Sequence, residues 1–395
     1  MPASRHILLG VTGGIAAYKS CEIVRLLKKA GHEVTVAMSR AATEFVHPNT
    51  FQALSGNPVV TETHGEAAGG MAHIDLTRRA DVMLIAPATA NTLAKIAHGM
   101  ADNLITNLAA ARTCPLVLAP AMNKEMWANP ANLRNIKQLQ QDGVNIIEPA
   151  AGDLACGETG IGRMREAAEI VDLLGDVWCE KVLAGKKVLL TVGATFEAID
   201  PVRGITNLSS GRMGAELARA CRAAGAQVSV VYGQMQAALP SGLAAGEQAI
   251  SAQAMFDAVM RRVGEQDIFI GVAAVADYRV ANATAQKWKK DQDGTPTLVL
   301  QENPDILAAV AALPQAPFCV GFAAESENVA EYARAKRRKK NVPLLVANQV
   351  SEAMGTDSNR IMLLDDVQET ALPAMSKADA AAAIVTRLGE LTAGK

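Results

Sequence analysis

Aromatic side chains are scarce in this 395-residue chain, 4% of the total. A base-stacking surface and a β-sandwich core both draw heavily on aromatics, so both are disfavoured. There is no Cys-x-x-Cys pair either. The six cysteines, Cys21, Cys114, Cys156, Cys179, Cys221 and Cys319, are scattered along the chain, which argues against a zinc knuckle or a disulfide framework and leaves thiols as the expected state. Charge of one sign is missing: 38 basic side chains meet 40 acidic ones, for a formal charge of −2. No whole-molecule field therefore favours nucleic acid or an anionic membrane, and any anion site must be local. No apolar run approaches the roughly 20 uncharged residues of a bilayer span, and the opening MPASRHILLG lacks the zones of a signal peptide. The chain reads as a soluble cytoplasmic protein, with no nucleic acid and no membrane among its partners.

What the chain does have is length, alanine, glycine and a repeated alternation of strand and helix signals. Its size suits two or three domains rather than one core. The stretch HILLGVTGGIAAYKSCEIVRLLKKAGHEVTVAMS runs an apolar strand into a glycine turn, a helix and a second strand, a βαβ unit. Buried-type strands follow at Val82 to Ala88 and Pro115 to Ala121, separated by a helix-compatible segment from Thr92 to Ala111. A further strand is expected at Asn145 to Pro149. The pattern restarts at Gly185 to Thr195, with a helix from Gly214 to Ala224 and a strand from Gln227 to Gly233. Later strands are expected in DIFIGVAAVADY, FCVGFAAE, PLLVAN and IMLLD. The fold class is therefore α/β, as two tandem Rossmann-like or flavodoxin-like domains with mostly parallel sheets. The boundary is expected near Lys181 to Lys186, giving domains 1–184 and 185–395.

Ligands on such sheets sit beyond the carboxyl ends of the strands. Gly13 and Gly14 follow the first strand, where backbone N–H groups at a helix start suit a phosphate; the pair also serves plain packing. The motif departs from G-x-G-x-x-G, because the helix opens directly after the glycines. The second strand closes with Met38, Ser39 and Arg40, with no carboxylate to hold a dinucleotide ribose, which favours a mononucleotide such as FMN over NAD. PATANT (Pro87 to Thr92) and PAMNKEMW (Pro120 to Trp127) end the next strands. Met122, Met126 and Trp127 read as core or interface filling. Asn123 reads as a ligand group, because a buried amide after a strand needs partners that a carboxylate or amide could supply.

Taken together, GGIAAYK, His73 in AHIDL, PATANT with KIAHGMADNL, PAMNKEMW and ACGETGIGRM resemble the flavin-containing cysteine decarboxylase family. The second half, through VGATFEAIDPVRGITNLSSGRMG and VAAVADYR, resembles phosphopantothenate–cysteine ligases. The resemblance covers nearly the whole chain in one order, as in the bifunctional enzymes of coenzyme A biosynthesis.

For the first half the resemblance implies FMN-dependent decarboxylation of 4′-phosphopantothenoylcysteine to 4′-phosphopantetheine. A simple carboxylate does not depart as carbon dioxide unless the carbanion has somewhere to go. Oxidation of the cysteine thiol to a thioaldehyde creates that sink, and the flavin later returns the hydride. His73 would assist the oxidation, while His6, His32, His47, His64 and His98 read as structural. Cys156 would protonate the enethiolate carbon, since a thiol with a pKa of about 8.5 stays protonated at neutral pH yet donates readily. Its neighbours Gly152, Gly157, Gly160 and Gly162 suit a lid. The implied flavin contacts are Gly13, Gly14, Ser39, Thr89 and Asn91, with Asn123 on the substrate.

For the second half the resemblance implies CTP-dependent ligation of 4′-phosphopantothenate to L-cysteine through an acyl-cytidylate, with Mg²⁺ on the phosphates. Gly193, Ala194 and Thr195 form the strand-end turn. Asn207 in NLSSGRMG would hold the acyl-cytidylate or pantothenate. Lys287 stands at the position of the catalytic lysine. Asp277, which closes the strand GVAAVADY, would bind CTP with Lys287, Asn303, Pro304, Asp305, Ile306, Phe322, Lys336 and Lys340. The run KRRKK (Lys336 to Lys340) lacks interleaved aromatics, so its first and last lysines, four apart on one helical face, suit a nucleotide phosphate better than nucleic acid. Two residues depart from the family pattern: Arg212 stands where lysine is common, and Trp288 where a smaller apolar residue is usual. Homo-oligomers are implied, with trimeric decarboxylase and dimeric ligase units up to a dodecamer. Two other readings compete: a pyridine-nucleotide oxidoreductase, opposed by the missing carboxylate after the second strand, and a non-catalytic flavoprotein, opposed by His73, Asn123 and Cys156 occurring together.

Overall fold

The computed structural model describes residues 4–61, 72–153, 157–289, 295, 297–325, 327–349 and 358–393. It divides into two compact units, Met1–Val177 and Trp178–Lys395. Leu183 is fully buried in the second unit's core, so the connection up to Gly185 already belongs to that unit.

In chain order the first unit contains β1 (His6–Val11), α1 (Ala17–Lys29), β2 (Glu33–Met38), α2 (Pro48–Ser55), β3 (Val60–Thr61), α3 (Ala72–Arg79), β4 (Val82–Ala88), α4 (Ala90–Ala97), α5 (Leu104–Ala111), β5 (Leu116–Pro120), α6 (Lys124–Ala128), α7 (Pro130–Gln141), β6 (Asn145–Ile146), β7 (Ala150–Asp153), β8 (Thr159–Arg163) and α8 (Ala167–Leu174). Six strands form one parallel sheet in the order β3-β2-β1-β4-β5-β6. The order reverses between β1 and β4, which opens a crevice beyond their carboxyl ends. All seven residues of β4 are buried, as expected of a strand covered on both faces. The helix expected from Thr92 to Ala111 is two helices. Gly99 takes φ +68°, and Asn103 caps α5 by accepting from Thr106 N–H at 3.1 Å, so local capping ends one helix and starts another.

The second unit contains β9 (Lys187–Val192), β10 (Phe196–Ala198), β11 (Gly204–Thr206), α9 (Arg212–Ala223), β12 (Gln227–Tyr232), β13 (Ala245–Gln248), α10 (Ala252–Met260), β14 (Ile268–Gly271), β15 (Tyr278–Val280), β16 (Leu300–Glu302), α11 (Ile306–Ala311), β17 (Phe318–Glu325), α12 (Val329–Lys340), β18 (Leu344–Gln349), β19 (Ser358–Asn359), β20 (Ile361–Leu364), β21 (Glu369–Ala371), β22 (Met375–Ser376) and α13 (Lys377–Thr392). Its eight-stranded sheet runs β13-β12-β9-β14-β17-β18-β20-β21, parallel through β18 and antiparallel beyond. Its order reverses between β9 and β14. Helices α9 and α13 cover one face, burying Leu217, Ile384 and Leu388 against Val188 and Leu190; α10, α11 and α12 cover the other around Phe269. Each such aliphatic side chain taken fully from water contributes about 1.5–3 kcal/mol. One expectation is corrected: the strand read through to Asp277 stops at Gly271. Beyond it Ala274 pairs with Gly193 and Thr195, and Ala276 N–H donates to Thr195 Oγ1 at 2.9 Å, so the chain leaves the ladder to hydrogen-bond the loop after β9.

Among the described residues no helix is long and apolar enough to cross a membrane. The described cysteines Cys21, Cys114, Cys179, Cys221 and Cys319 are free thiols. Burial pushes Cys221 up to about 12 and Cys319 up to about 11, which keeps them protonated and unreactive. His6 is a satisfied structural residue, bonded to Arg79 O and Thr35 Oγ1 at 3.0 and 2.9 Å. His47 accepts from Asn49 N–H at 3.3 Å. His64 lies outside the described residues.

Candidate active sites

At the carboxyl edge of the first sheet, β1 leads into a tight turn before α1, with Ala17 N–H donating to Gly14 O at 3.0 Å. The helix thus begins two residues later than the glycine pair suggested. The two glycines differ in what requires them. A Cβ on Gly13 would lie 2.5 Å from Ala41 Cβ, whereas one on Gly14 meets nothing within 4 Å among the described residues. Gly13 is therefore needed for packing under the Ser39–Glu44 turn, and Gly14 leaves its space open to a ligand.

Gly13, Gly14, Thr89 and Asn123 line one cleft of about 630 Å³. Ser39 and Asn91 are not in its lining: Ser39 accepts from Ala42 N–H at 3.3 Å, and Asn91 is exposed in the first turn of α4. Thr89 caps α4, accepting from Thr92 N–H at 3.3 Å. Buried Thr12 ties two strand ends together, donating to Pro87 O at 2.6 Å and accepting from Thr89 N–H at 3.2 Å. Asn123 has both amide ends engaged: its Oδ1 accepts from Glu125 N–H and its Nδ2 donates to Glu158 Oε2, each at 2.8 Å. The β7–β8 hairpin lies against this turn. Met122 N–H donates to Gly162 O at 3.0 Å, and a Cβ on Gly162 would lie 2.3 Å from Met122 O. Cys156 falls between β7 and β8 and lies outside the described residues, as does the side chain of His73, whose backbone is in α3.

Several cleft residues lie inside GGIAAYK and PAMNKEMW yet carry no ligand signal of their own. Met122 and Met126 line the cleft; Met126 is 49% exposed, so the core-filling reading is corrected for it, whereas Met122 also packs on the core, as read. Trp127 is half-buried and packs on the core, as read. Tyr18 is 61% exposed at the cleft, while Lys19 is buried. Lys19 Nζ donates to Met164 O at 3.1 Å and to Glu166 Oε1 at 2.9 Å. The Lys19 hydrogen bond and charge, helped by Arg163, hold the Glu166 carboxyl below its usual range. A lone lysine on a helix looks solvated in sequence; only its packing against the 164–166 segment shows otherwise.

In the second unit, Asp277, Asn303, Pro304, Asp305, Ile306, Phe322, Lys336 and Lys340 line one cleft of about 410 Å³ beyond β14 and β17. Lys339 joins them, a contribution the four-residue spacing did not suggest. Asp305 caps α11, accepting from Ala308 N–H at 3.0 Å, and pairs with Lys340 Nζ at 2.9 Å. Burial pushes the Lys336 ammonium down, the neighbouring Lys340 charge adds to this, and Glu325, Asp277 and Asp305 oppose it. Other charges of this helix are spent on structure: Arg337 pairs with Asp366, and Arg334, just before the run, with Glu369 through two 2.7 Å bonds.

Lys287 and Asn207 are outside that lining. Lys287 is exposed beside Trp288, whose backbone is clamped: Asp200 accepts its N–H at 3.1 Å, and Arg203 Nη2 donates to its carbonyl at 2.6 Å. Asn207 lines a neighbouring cleft of about 630 Å³ with Ser209, Ser210 and Gln234. Its Nδ2 donates to Ala274 O and Val275 O at 3.2 and 3.1 Å, and Val275 belongs to the first cleft's wall. Arg212 opens α9 and lies in neither cleft. Among the described residues no group of three or more His, Cys, Asp or Glu side chains is arranged to hold a metal.

A coenzyme A biosynthesis bifunctional protein CoaBC of Vibrio vulnificus (strain CMCP6) is 47% identical to this chain over 383 residues, 95% of each. The chain belongs to the CoaBC family. A Bacillus subtilis CoaBC is 42% identical over 397 residues, 98% of each chain. Residues 1–178 match the flavoprotein family model, and residues 183–391 the DNA/pantothenate metabolism flavoprotein C-terminal domain. Among solved structures, the C-terminal domain of a CoaBC aligns at 33% identity with a TM-score of 0.47, covering 54% of this chain and 98% of that one. As a CoaBC protein, the chain is a bifunctional enzyme of coenzyme A biosynthesis, a decarboxylase joined to a ligase.

Proposed function

We propose that residues 1–184 decarboxylate 4′-phosphopantothenoylcysteine with FMN and that residues 185–395 make that substrate from 4′-phosphopantothenate, L-cysteine and CTP. The observation that carries this reading is the convergence of Asp277, Asn303–Ile306, Phe322, Lys336 and Lys340, distant in sequence, on one cleft. In the first unit the open space at Gly14 and the methionine-lined wall fit a flat, apolar ring system with a phosphate tail. Bound there, FMN would supply the two-electron sink that lets the carboxylate depart. Gly13, Gly14 and Thr89 would hold it from the cleft wall, and Ser39 and Asn91 would contact only parts of it that extend beyond that wall. Asn123, its amide already oriented by Glu125, would face the substrate, His73 would move the thiol proton, and Cys156 would protonate carbon after carbon dioxide leaves.

In the second unit, the carboxylate of 4′-phosphopantothenate attacks the α-phosphate of CTP, a P–O bond forms and pyrophosphate leaves. The cysteine amine then attacks the acyl carbon, and CMP departs with the electron pair of the broken C–O bond. Lys336, Lys340 and Lys287 would neutralise the developing phosphate charge. Asp277, an exposed carboxylate on the cleft, fits Mg²⁺, which takes one or two carboxylates together with phosphate oxygens and water. Asn207 would hold the activated acyl group. The test supplies purified protein with 4′-phosphopantothenate, L-cysteine and CTP and follows products by mass. Formation of 4′-phosphopantetheine, CMP and pyrophosphate supports the reading, and a colourless protein that cannot be loaded with FMN sinks its first half.

A further inference from the structure

The β15–β16 hairpin ends on the 410 Å³ cleft, and its closing residue, Asn303, has both ends of its amide engaged. Arg279 Nη1 donates to Asn303 Oδ1 at 3.1 Å and to Glu302 O at 2.8 Å. Asn303 Nδ2 donates to Ala276 O at 2.9 Å, and Asn303 N–H donates to Asp277 O at 2.8 Å. A flipped amide would set its NH₂ against the guanidinium and its oxygen against a carbonyl, so the orientation is fixed from both sides. The consequence for a ligand is specific. The carbonyls of Ala276, Asp277 and Glu302 each already accept a protein donor, and the Asn303 oxygen faces a cation. Asn303 has the second N–H of Nδ2 left to donate, while its oxygen, already bonded to the guanidinium, is the weaker of its two offers to a base. Cytosine carries an acceptor at N3 where uracil carries N–H.

We propose that Arg279 is a positioning residue that sets the base preference of this cleft, holding the Asn303 amide so that it favours cytosine over uracil. The inference rests on the reading of the cleft as a CTP site. Without Arg279 the amide keeps only its Nδ2 bond to Ala276 O, so the flipped orientation, which presents the oxygen that suits uracil N3–H, costs less than in the wild type. The experiment measures kcat/KM of the ligation with CTP and with UTP on the full chain. Arg279→Met should lower the CTP-over-UTP ratio about tenfold, the scale of one misdirected half-buried hydrogen bond, and Arg279→Lys should keep part of it. Should Arg279→Met fail to fold, Asn303→Asp, which has no donor to offer, should lower the same ratio. Equal losses with both nucleotides, leaving the ratio unchanged in a folded variant, would mean that Arg279 only supports the hairpin and would overturn the inference. A wild-type enzyme that shows no preference for CTP would instead sink the reading of the cleft.

Discussion

Asp200 and Trp288 stand 88 residues apart, yet the buried Asp200 carboxylate accepts the Trp288 backbone N–H at 3.1 Å. The same carboxylate accepts from Val202 and Arg203 N–H at 2.8 Å and pairs with Arg203 Nε at 3.1 Å. Burial alone would raise its pKa. The three N–H donors and the Arg203 charge outweigh burial and hold it below the usual carboxylate range.

Asp200→Asn should therefore disturb the segment that carries Lys287. The expected result is a ligation rate lowered about tenfold through misplacement, with decarboxylation of supplied substrate kept. The wild-type clamp is complete above the ordinary carboxylate pKa and is lost as pH falls through the depressed folded value. Melting of wild type and variant should accordingly converge in acid, which calorimetry across a pH series checks.

Gly13 and Gly14 should separate under alanine substitution. Gly13→Ala drives a Cβ to 2.5 Å from Ala41 Cβ, so both stability and flavin content should fall. Gly14→Ala meets nothing within 4 Å among the described residues, so the melting temperature of the flavin-free protein should hold while flavin absorbance drops. Equal flavin content in wild type and Gly14→Ala would remove that turn from the cofactor site.

Lys336 is a half-buried cation whose pKa is lowered by burial and by Lys340. The unfolded chain binds its proton more readily, so this group makes stability rise as pH climbs through the window just below the ordinary lysine value. Lys336→Met should raise the melting temperature at neutral pH and weaken CTP binding, an exchange of stability against function. A variant that binds CTP as tightly as wild type would show that the cation serves something else.

The two activities should be separable by single changes. Lys287→Gln should abolish CTP-dependent ligation and leave decarboxylation of supplied 4′-phosphopantothenoylcysteine. Cys156→Ser should keep FMN and consume substrate without forming 4′-phosphopantetheine, and His73→Asn should keep FMN without releasing carbon dioxide. Loss of both activities from any one change would contradict two independent sites.

Much of this architecture was legible in linear form because local rules carried it. Buried runs such as Val82–Ala88 have only one comfortable place, the middle of a parallel sheet. Where reading failed, a local competitor had won: the Asn103 cap split a helix, and the hydrogen bond from Ala276 to Thr195 drew the chain out of β14 before Asp277. Motif residues such as Asn303 and Lys340 could be named in advance, but the roles of Lys19 and Arg279 could not. Their partners lie far along the chain, and an isolated cation gives no sequence signal of being buried or aimed.

The order of residues by itself determined the alternation of strands and helices, the glycine turns at strand ends and the placement of the chemistry-bearing motifs, because these depend on neighbours within a few positions. Only the folded sheets decided which distant residues share a cleft. They brought Asp305 to Lys340 and Arg279 to Asn303, since hydrogen bonds and ion pairs act over a few ångströms of space whatever the separation in sequence.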